Sequence, residues 1–355
     1  MKCFSNLERL LHASETIDIS RDSRIVVFSD LHLGDGGRND EFRHNGPLFE
    51  TLLRNHYLSG GFSLVLNGDI EELFKFDLHS IEAAWGELWE LFLLFRRNGF
   101  VRKLYGNHDH ALLDHSDYRL ADVLAESLCL HYEGQRLLLF HGHQASPYLN
   151  EPSSIFSRSL FYLLRYFARP FGFRNYSVSY SNRKRYAIER SVYEFSNRSK
   201  VISIIGHTHR PLFESMSKLD YLNYRIEELC RSYSEADVAL QQSIEHEIGE
   251  VRRELESCYR DGSRKSLRSG RYDTIAIPSI FNSGCCIGKR GVTALEIEDG
   301  MIRLVYWTKD GMRGTYTYPG ERLHKAEELG SSGIYRIVLN EDRLDYVFSR
   351  IRLLA

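Results

Sequence analysis

Five short blocks carry residues able to bind metal ions or move protons. They are Asp30-Leu31-His32, Gly68-Asp69-Ile70-Glu71-Glu72, Gly106-Asn107-His108-Asp109, His141-Gly142-His143 and Gly206-His207-Thr208-His209. Together they supply the carboxylates, imidazoles and side-chain amide that a two-metal hydrolytic site requires. An isolated Asp-x-His or His-x-His is more often a coincidence or a structural hydrogen-bonded pair, so the weight rests on the ordered set. Two cations held close together repel, and Asp69, from the central block, is the natural bridging anion between them. A mixed oxygen and nitrogen ligand set suits two divalent ions of Mn, Fe or Zn, with Mn²⁺ foremost, better than Mg or Ca. The spacing of His207 and His209 puts both rings on one face of an extended segment.

The elements that must position these blocks are short β-like runs. Ile25 to Ser29 delivers Asp30, Ser63 to Asn67 delivers Asp69, and Val101 to Tyr105 delivers Asn107 and His108. Arg136 to Phe140 delivers His141, and Val201 to Ile205 delivers His207 and His209. Polar loops at the carboxyl ends of strands are where ligands collect in α/β sheets. Helical patterns run from Glu82 to Arg97 and, more briefly, from Asp117 to Leu128. Gly291 to Ile297 and Met301 to Trp307, joined by Glu298-Asp299-Gly300, read as a hairpin. Strands alternate with helices early and pair as a hairpin late, which predicts a mixed-sheet α/β core.

Two segments stand outside that core. Residues 146–200 form a helical insertion in which Ile155 to Ala168 is helix-periodic and Pro170 ends the helix, followed by the basic run Arg183-Lys184-Arg185. Phe156, Leu160, Leu163, Leu164 and Phe167 share one face, and Arg158, Arg165 and Arg169 another. Such a helix either packs on the core with its arginines in water or caps the site, offering an apolar groove or peripheral membrane contact through 155–169. Residues 216–268 form a second insertion, whose apolar periodicity from Leu219 to Tyr259 reads as a helical hairpin broken near Ser232 to Ser234. The hairpin either packs on itself or makes a homo-oligomer through 219–259. The core is therefore assigned to 1–310 and a C-terminal extension to 311–355.

In order and residue type the five blocks resemble the calcineurin-like metallophosphoesterase superfamily, whose pattern runs DxH, GDxx(D/E), GNH(D/E), (G)H, GHxH. The likeness covers Ile25 to Pro211, and Phe281-Asn282-Ser283-Gly284 resembles the strand end that follows GHxH in many members. The resemblance implies a four-layer α/β/β/α sandwich of two mixed sheets. It implies that Asp30, His32, Asp69 and His209 hold one ion, and that Asp69, Asn107, His141 and His207 hold the other. It also implies hydrolysis of phosphoric esters, monoester and diester both open, by a metal-bridged hydroxide attacking in line. His108 then resembles the family's catalytic histidine, which protonates the leaving oxygen or stabilises the transition state, with Asp109 orienting its ring.

Three further residues are candidates beside this set. Glu72 would tie a ligand in place. His143 is divided between that kind of support and substrate contact. Arg210 could clamp substrate phosphate, although a structural salt bridge is the commoner role. The remaining histidines, His12, His56, His79, His110, His115, His131, His246 and His324, match no block and are expected at the surface or satisfied in the core. A helical, Arg-rich insertion before Gly206-His207-Thr208-His209-Arg210-Pro211 is also similar to UDP-diacylglucosamine pyrophosphohydrolases of lipid A synthesis. That likeness makes a nucleotide-sugar lipid an alternative substrate, but those enzymes carry Arg where this chain has His108. A metal-binding scaffold without turnover is the third reading, and the His108-Asp109 pair argues against it.

Composition limits the partners. Net charge is −2, which excludes a global preference for nucleic acid, and the arginines near 183–185 and 252–268 are interleaved with acids. The six cysteines, Cys3, Cys129, Cys230, Cys258, Cys285 and Cys286, form no CxxC pair and read as reduced thiols of a cytoplasmic protein. The first residues lack an apolar signal core, and the longest apolar runs are too short to span a bilayer.

Overall fold

The computed structural model of the chain describes residues 2–146, 182–213, 222, 226, 229–230, 233, 238–260, 277–288, 291–309 and 326–355. The expected helix from Ile155 to Ala168, its stop at Pro170 and the membrane contact through 155–169 lie outside these residues.

In chain order the elements begin with α1 (Lys2–Ala13), β1 (Glu15–Ile19), β2 (Ile25–Phe28), α2 (Gly46–Leu52), β3 (Ser63–Asn67), α3 (Leu78–Leu94) and β4 (Val101–Leu104). There follow β5 (Leu124–Ala125), β6 (Ser127–Tyr132), β7 (Gln135–Phe140), α4 (Asn182–Ser199), β8 (Ile202–Ile205), α5 (Val238–Arg260) and β9 (Ile280–Asn282). The last are β10 (Val292–Glu298), β11 (Met301–Thr308), β12 (Ala326–Glu328), β13 (Tyr335–Arg343) and α6 (Leu344–Leu354). The strands make two mixed sheets, one ordered β1-β6-β7-β8-β9 and the other β12-β13-β11-β10-β2-β3-β4-β5.

The two-residue period of a strand divides the apolar residues between layers. Ile25 and Val27 of β2 join Val65, Leu128, Leu139, Ile204, Phe281 and Leu295 in a core that draws on both sheets. Val26 and Phe28 point the other way, onto Phe49 of α2 and Trp89 and Phe92 of α3. On the far side, Leu138 and Phe140 of β7 and Ile205 of β8 pack with Leu7 and Leu10 of α1 and with Ile188, Val192 and Phe195 of α4. The layers are therefore helix, sheet, sheet, helix, as the four-layer α/β/β/α expectation has it. The end of the 146–200 segment, α4, is one of these layers, and the basic run Arg183 to Arg185 forms its first turn.

All five expected strands form, and β2-β3-β4 and β7-β8-β9 are mutually parallel. Their carboxyl ends thus lead into the blocks. The expected hairpin is β10-β11, pairing Glu298 with Met301 across Asp299 and Gly300, both at positive φ. Helix α3 starts four residues before Glu82, because Asp77 caps it by accepting from Ser80 N at 3.0 Å. The expected helix from Asp117 to Leu128 does not form. Tyr118 and Leu120 are buried toward α3 while Leu128 enters the core between the sheets, and one helix face could not serve both. Beyond residue 310, β12 and β13 extend the larger sheet past β11.

Residues 222, 226, 229 and 233 are helical and pack with Ile244, Ile248, Val251 and Leu255 of α5 in a cluster of their own. Ser232 and Ser234, where a break was expected, lie outside the described residues. No helix among the described residues is long and apolar enough to cross a membrane.

Candidate metal centre

The first and second blocks are joined backbone to backbone. Asp30 N donates to Gly68 O at 3.0 Å, His32 N to Asp69 O at 3.0 Å and Leu33 N to Ile70 O at 2.7 Å. In the fifth block Gly206 N donates to His141 O at 2.9 Å, and His207 N to Asp30 Oδ2 at 3.0 Å. Asn282, at the end of β9, donates to Gly206 O and Thr208 Oγ1, both at 2.9 Å. Two glycines are needed for close approach. A Cβ at Gly106 would lie 2.1 Å from Asp69 Oδ1, and one at Gly68, whose φ is +85°, would lie 2.4 Å from the His141 ring. Asp30, His32, Asp69, His207 and His209 all adopt left-handed backbone conformations, with φ between +50° and +65°. Such conformations are uncommon for non-glycine residues and cluster at functional sites.

These constraints bring the expected ligands together. Three overlapping groups have ligand atoms within 4.8 Å of one another: Asp30, His32 and His209; His32, Asp69 and His108; and Asp69, His141 and His207. His32 Nε2 and His209 Nε2 face each other at 3.1 Å, with Asp30 Oδ1 3.1 Å from the latter. His141 Nε2 lies 3.0 Å from Asp69 Oδ2 and 4.0 Å from Asp30 Oδ1. Asp69 and His32 each belong to two of the groups, and of the two Asp69, with two carboxylate oxygens, has the donors a bridging ligand needs.

The residues fit divalent cations. His141 Nδ1–H donates to Asn67 O at 2.9 Å and His32 Nδ1–H to Glu72 Oε2 at 3.2 Å, so Nε2 of each ring faces the cluster and, once deprotonated, could bind a cation. The buried atoms His207 Nε2 and Asn107 Oδ1 have no hydrogen-bond partner among the described residues. Buried polar atoms are nearly always paired, and a cation would satisfy both.

Carboxylates and imidazoles offset one another inside the cluster. Burial would raise the carboxyl of Asp69, but His141, His108 and His32 hold it well below the usual range; Asp30 is lowered by His209 and His141 in the same way. Burial would lower His32 and His141, yet the surrounding carboxylates raise each to about 9. Burial and the neighbouring His141 push His143 down to about 3 and His207 well below its ordinary value.

The supporting residues are arranged differently from the sequence expectation. Asp109 does not orient His108. Its carboxylate turns into the protein, accepting from Gly106 N at 2.5 Å and Ile70 N at 2.8 Å and pairing with Lys103. Glu72 takes that place, with Oε1 2.9 Å from His108 Nδ1. His108 Nε2 then points to the cluster, 4.0 Å from Asp69 Oδ2, while the Phe74 ring lies 4.4 Å from the imidazole. Arg210 pairs with the fully buried Glu189 of α4, which also accepts from Thr208 Oγ1 at 2.8 Å. This is the structural salt bridge rather than a free phosphate clamp. His143 sits beside His141 and His207, ring centroids 5.6 and 6.2 Å away. Lys103, Phe74 and Glu189 belong to no recognisable spacing in the sequence, and Glu71 only to the second block.

No protein-family model matches the chain, and no curated protein sequence matches it. Among solved structures it is similar to a single mutant of Vps29 from Entamoeba histolytica, at a TM-score of 0.36 and 11% identity over 89% of this chain and 99% of that one. It is also similar to a dimetal phosphatase from Danio rerio, at a TM-score of 0.36 and 11% identity over 79% of this chain and 95% of that one.

Proposed function

We propose that this chain is a metal-dependent hydrolase of phosphoric esters. The observation that carries the reading is the meeting of Asp30, His32, Asp69, His141, His207 and His209 around shared ligand distances, with His108 directed at the same point but held from behind by a carboxylate. Asp30, His32, Asp69 and His209 would hold one divalent ion, and Asp69, Asn107, His141 and His207 a second. When bound, the ions would lower the pKa of water and neutralise charge on the phosphoryl group.

The remaining work falls to the protein. Glu72 accepts a hydrogen bond from Nδ1–H of His108, so the Nε2 side can hold or give up a proton at the leaving oxygen. The Phe74 ring packs beside that imidazole, tilted by 44°. The left-handed backbone at five of these residues and the backbone bonds between the first and second blocks fix the positions of the donors.

The test is hydrolysis of p-nitrophenyl phosphate and bis(p-nitrophenyl) phosphate by the purified chain with Mn²⁺, Fe²⁺ or Zn²⁺. Turnover that EDTA abolishes is the expected result. Absence of turnover with every ion on both esters would sink the reading. Manganese as the native ion rests on the mixed donor set and is tested by metal analysis of the same sample.

A further inference from the structure

A second charged group lies beside the centre, outside the three ligand groups. Lys103 of β4 is completely buried; its ammonium donates to Asp109 Oδ2 and lies 3.2 Å from Glu71 Oε2. Glu71 is buried too and accepts from Tyr118 OH at 2.7 Å. Burying such charges is unfavourable by several kcal/mol per ion before pairing, and an apolar side chain would fill the position of Lys103 without that cost. Stability of the core is therefore a poor reason for its presence.

The connections of Asp109 supply a better one. One of its oxygens accepts from the backbone of Gly106, which leads into Asn107 and His108, and the other from the backbone of Ile70, which follows Asp69. A single carboxylate thus ties the second block to the third, and beside it His108 N donates to Asp69 Oδ1 at 2.8 Å. Lys103 is the only cation that an ion pair places on that carboxylate among the described residues.

We propose that Lys103 is a positioning residue: its ammonium holds Asp109 across the second and third blocks and so sets where Asp69, Asn107 and His108 meet metal ions and substrate. This rests on the phosphoesterase reading for its kinetic consequence, but not for its effect on cation binding.

The experiment compares the wild-type chain with Lys103→Met and with Lys103→Met/Glu71→Gln, which removes one charge of each sign. Three quantities are read: the melting temperature in EDTA, its rise on adding Mn²⁺, and kcat and KM on p-nitrophenyl phosphate. The single variant should melt lower, because two buried carboxylates lose their counter-ion. The double variant should regain part of the EDTA melting temperature, because Asp109 alone is then left without its counter-ion. It should still show a rise with Mn²⁺ reduced by about half, and kcat lower by about tenfold at a KM within about twofold of wild type. Recovery of both the Mn²⁺ rise and kcat would overturn the proposal, leaving Lys103 a mere charge balance. If neither Lys103 variant folds, Asp109→Asn decides: the same losses support the tie, and wild-type values overturn it. A wild-type chain that hydrolyses no ester would defeat the functional reading alone, and the Mn²⁺ rise would still decide the role of Lys103.

Discussion

Glu72 and His108, 36 residues apart in the chain, face each other at 2.9 Å, and the second oxygen of the same carboxylate lies 3.2 Å from Nδ1 of His32. One side chain therefore fixes the tautomer of an expected metal ligand and of the expected proton donor. Burial would raise Glu72, but its bonds to the two imidazoles hold it below the usual range. Glu72→Gln keeps the shape and removes the charge. We expect kcat to fall about 10- to 100-fold with weaker Mn²⁺ binding, the usual scale for loss of such a supporting carboxylate. Steady-state kinetics and a Mn²⁺ titration check this, and an unchanged kcat would show that the pairing has no functional weight.

His108→Ala separates donor from ligand. Loss of a general acid should lower kcat by about 10²- to 10⁴-fold while the rise in melting temperature with Mn²⁺ persists. Alkyl phosphates should suffer more than p-nitrophenyl phosphate, whose leaving group needs less protonation. If the Mn²⁺ rise disappears instead, His108 is a ligand.

The metal-free chain should lose stability as pH rises from about 6.5 to about 9. His32 and His141, each raised to about 9 when folded, keep protons that the unfolded chain releases near 6.5. Their contribution is complete below the unfolded value and lost as pH passes the folded one. His143 and His207 are shifted the other way, so their effect lies below pH 6.5. Melting in EDTA across this range gives the test. Mn²⁺ requires unprotonated rings and should flatten or reverse the slope. A melting temperature in EDTA that climbs through this window would contradict the assignment.

Arg210→Met distinguishes a salt bridge from a phosphate clamp. Removing the guanidinium leaves Glu189 buried beneath the fifth block, which should cost about 3 kcal/mol in a urea unfolding experiment. KM for the ester should change by less than about twofold, because binding energy lost uniformly is what raises KM. A large rise in KM at unchanged stability would restore the clamp.

The ligands were legible because each follows a β-branched or leucine-rich run, and strand-then-loop is a local pattern. The partner of His108 was not. Asp109 is its neighbour in sequence, but the backbone turns there (φ −114°, ψ 13°) and the carboxylate enters the interior toward Lys103. Glu72 comes from another strand end, and only the parallel register of β3 and β4 brings it near. Glu189 was hidden for the same reason, lying on a helix whose packing against β7 and β8 no short window reveals. The false helix at Asp117 to Leu128 arose because apolar residues three or four apart serve two different cores. Strand β13 pairs with β11 some thirty residues earlier, a separation beyond any local signal.

The left-handed backbone at Asp30, His32, Asp69, His207 and His209 has a consequence for how this protein would change under selection. Each such residue is strained by an amount on the order of 1 kcal/mol or more that glycine would relieve. A population screened for heat tolerance alone, with no demand for ion binding, should therefore accept glycine or asparagine first at His207, whose buried Nε2 has no hydrogen-bond partner among the described residues, and not at Asp30 or Asp69, whose carboxylates offset the buried His32 and His141. Survivors would melt higher and bind cations worse, so ion binding is a property this fold keeps only while it is asked for.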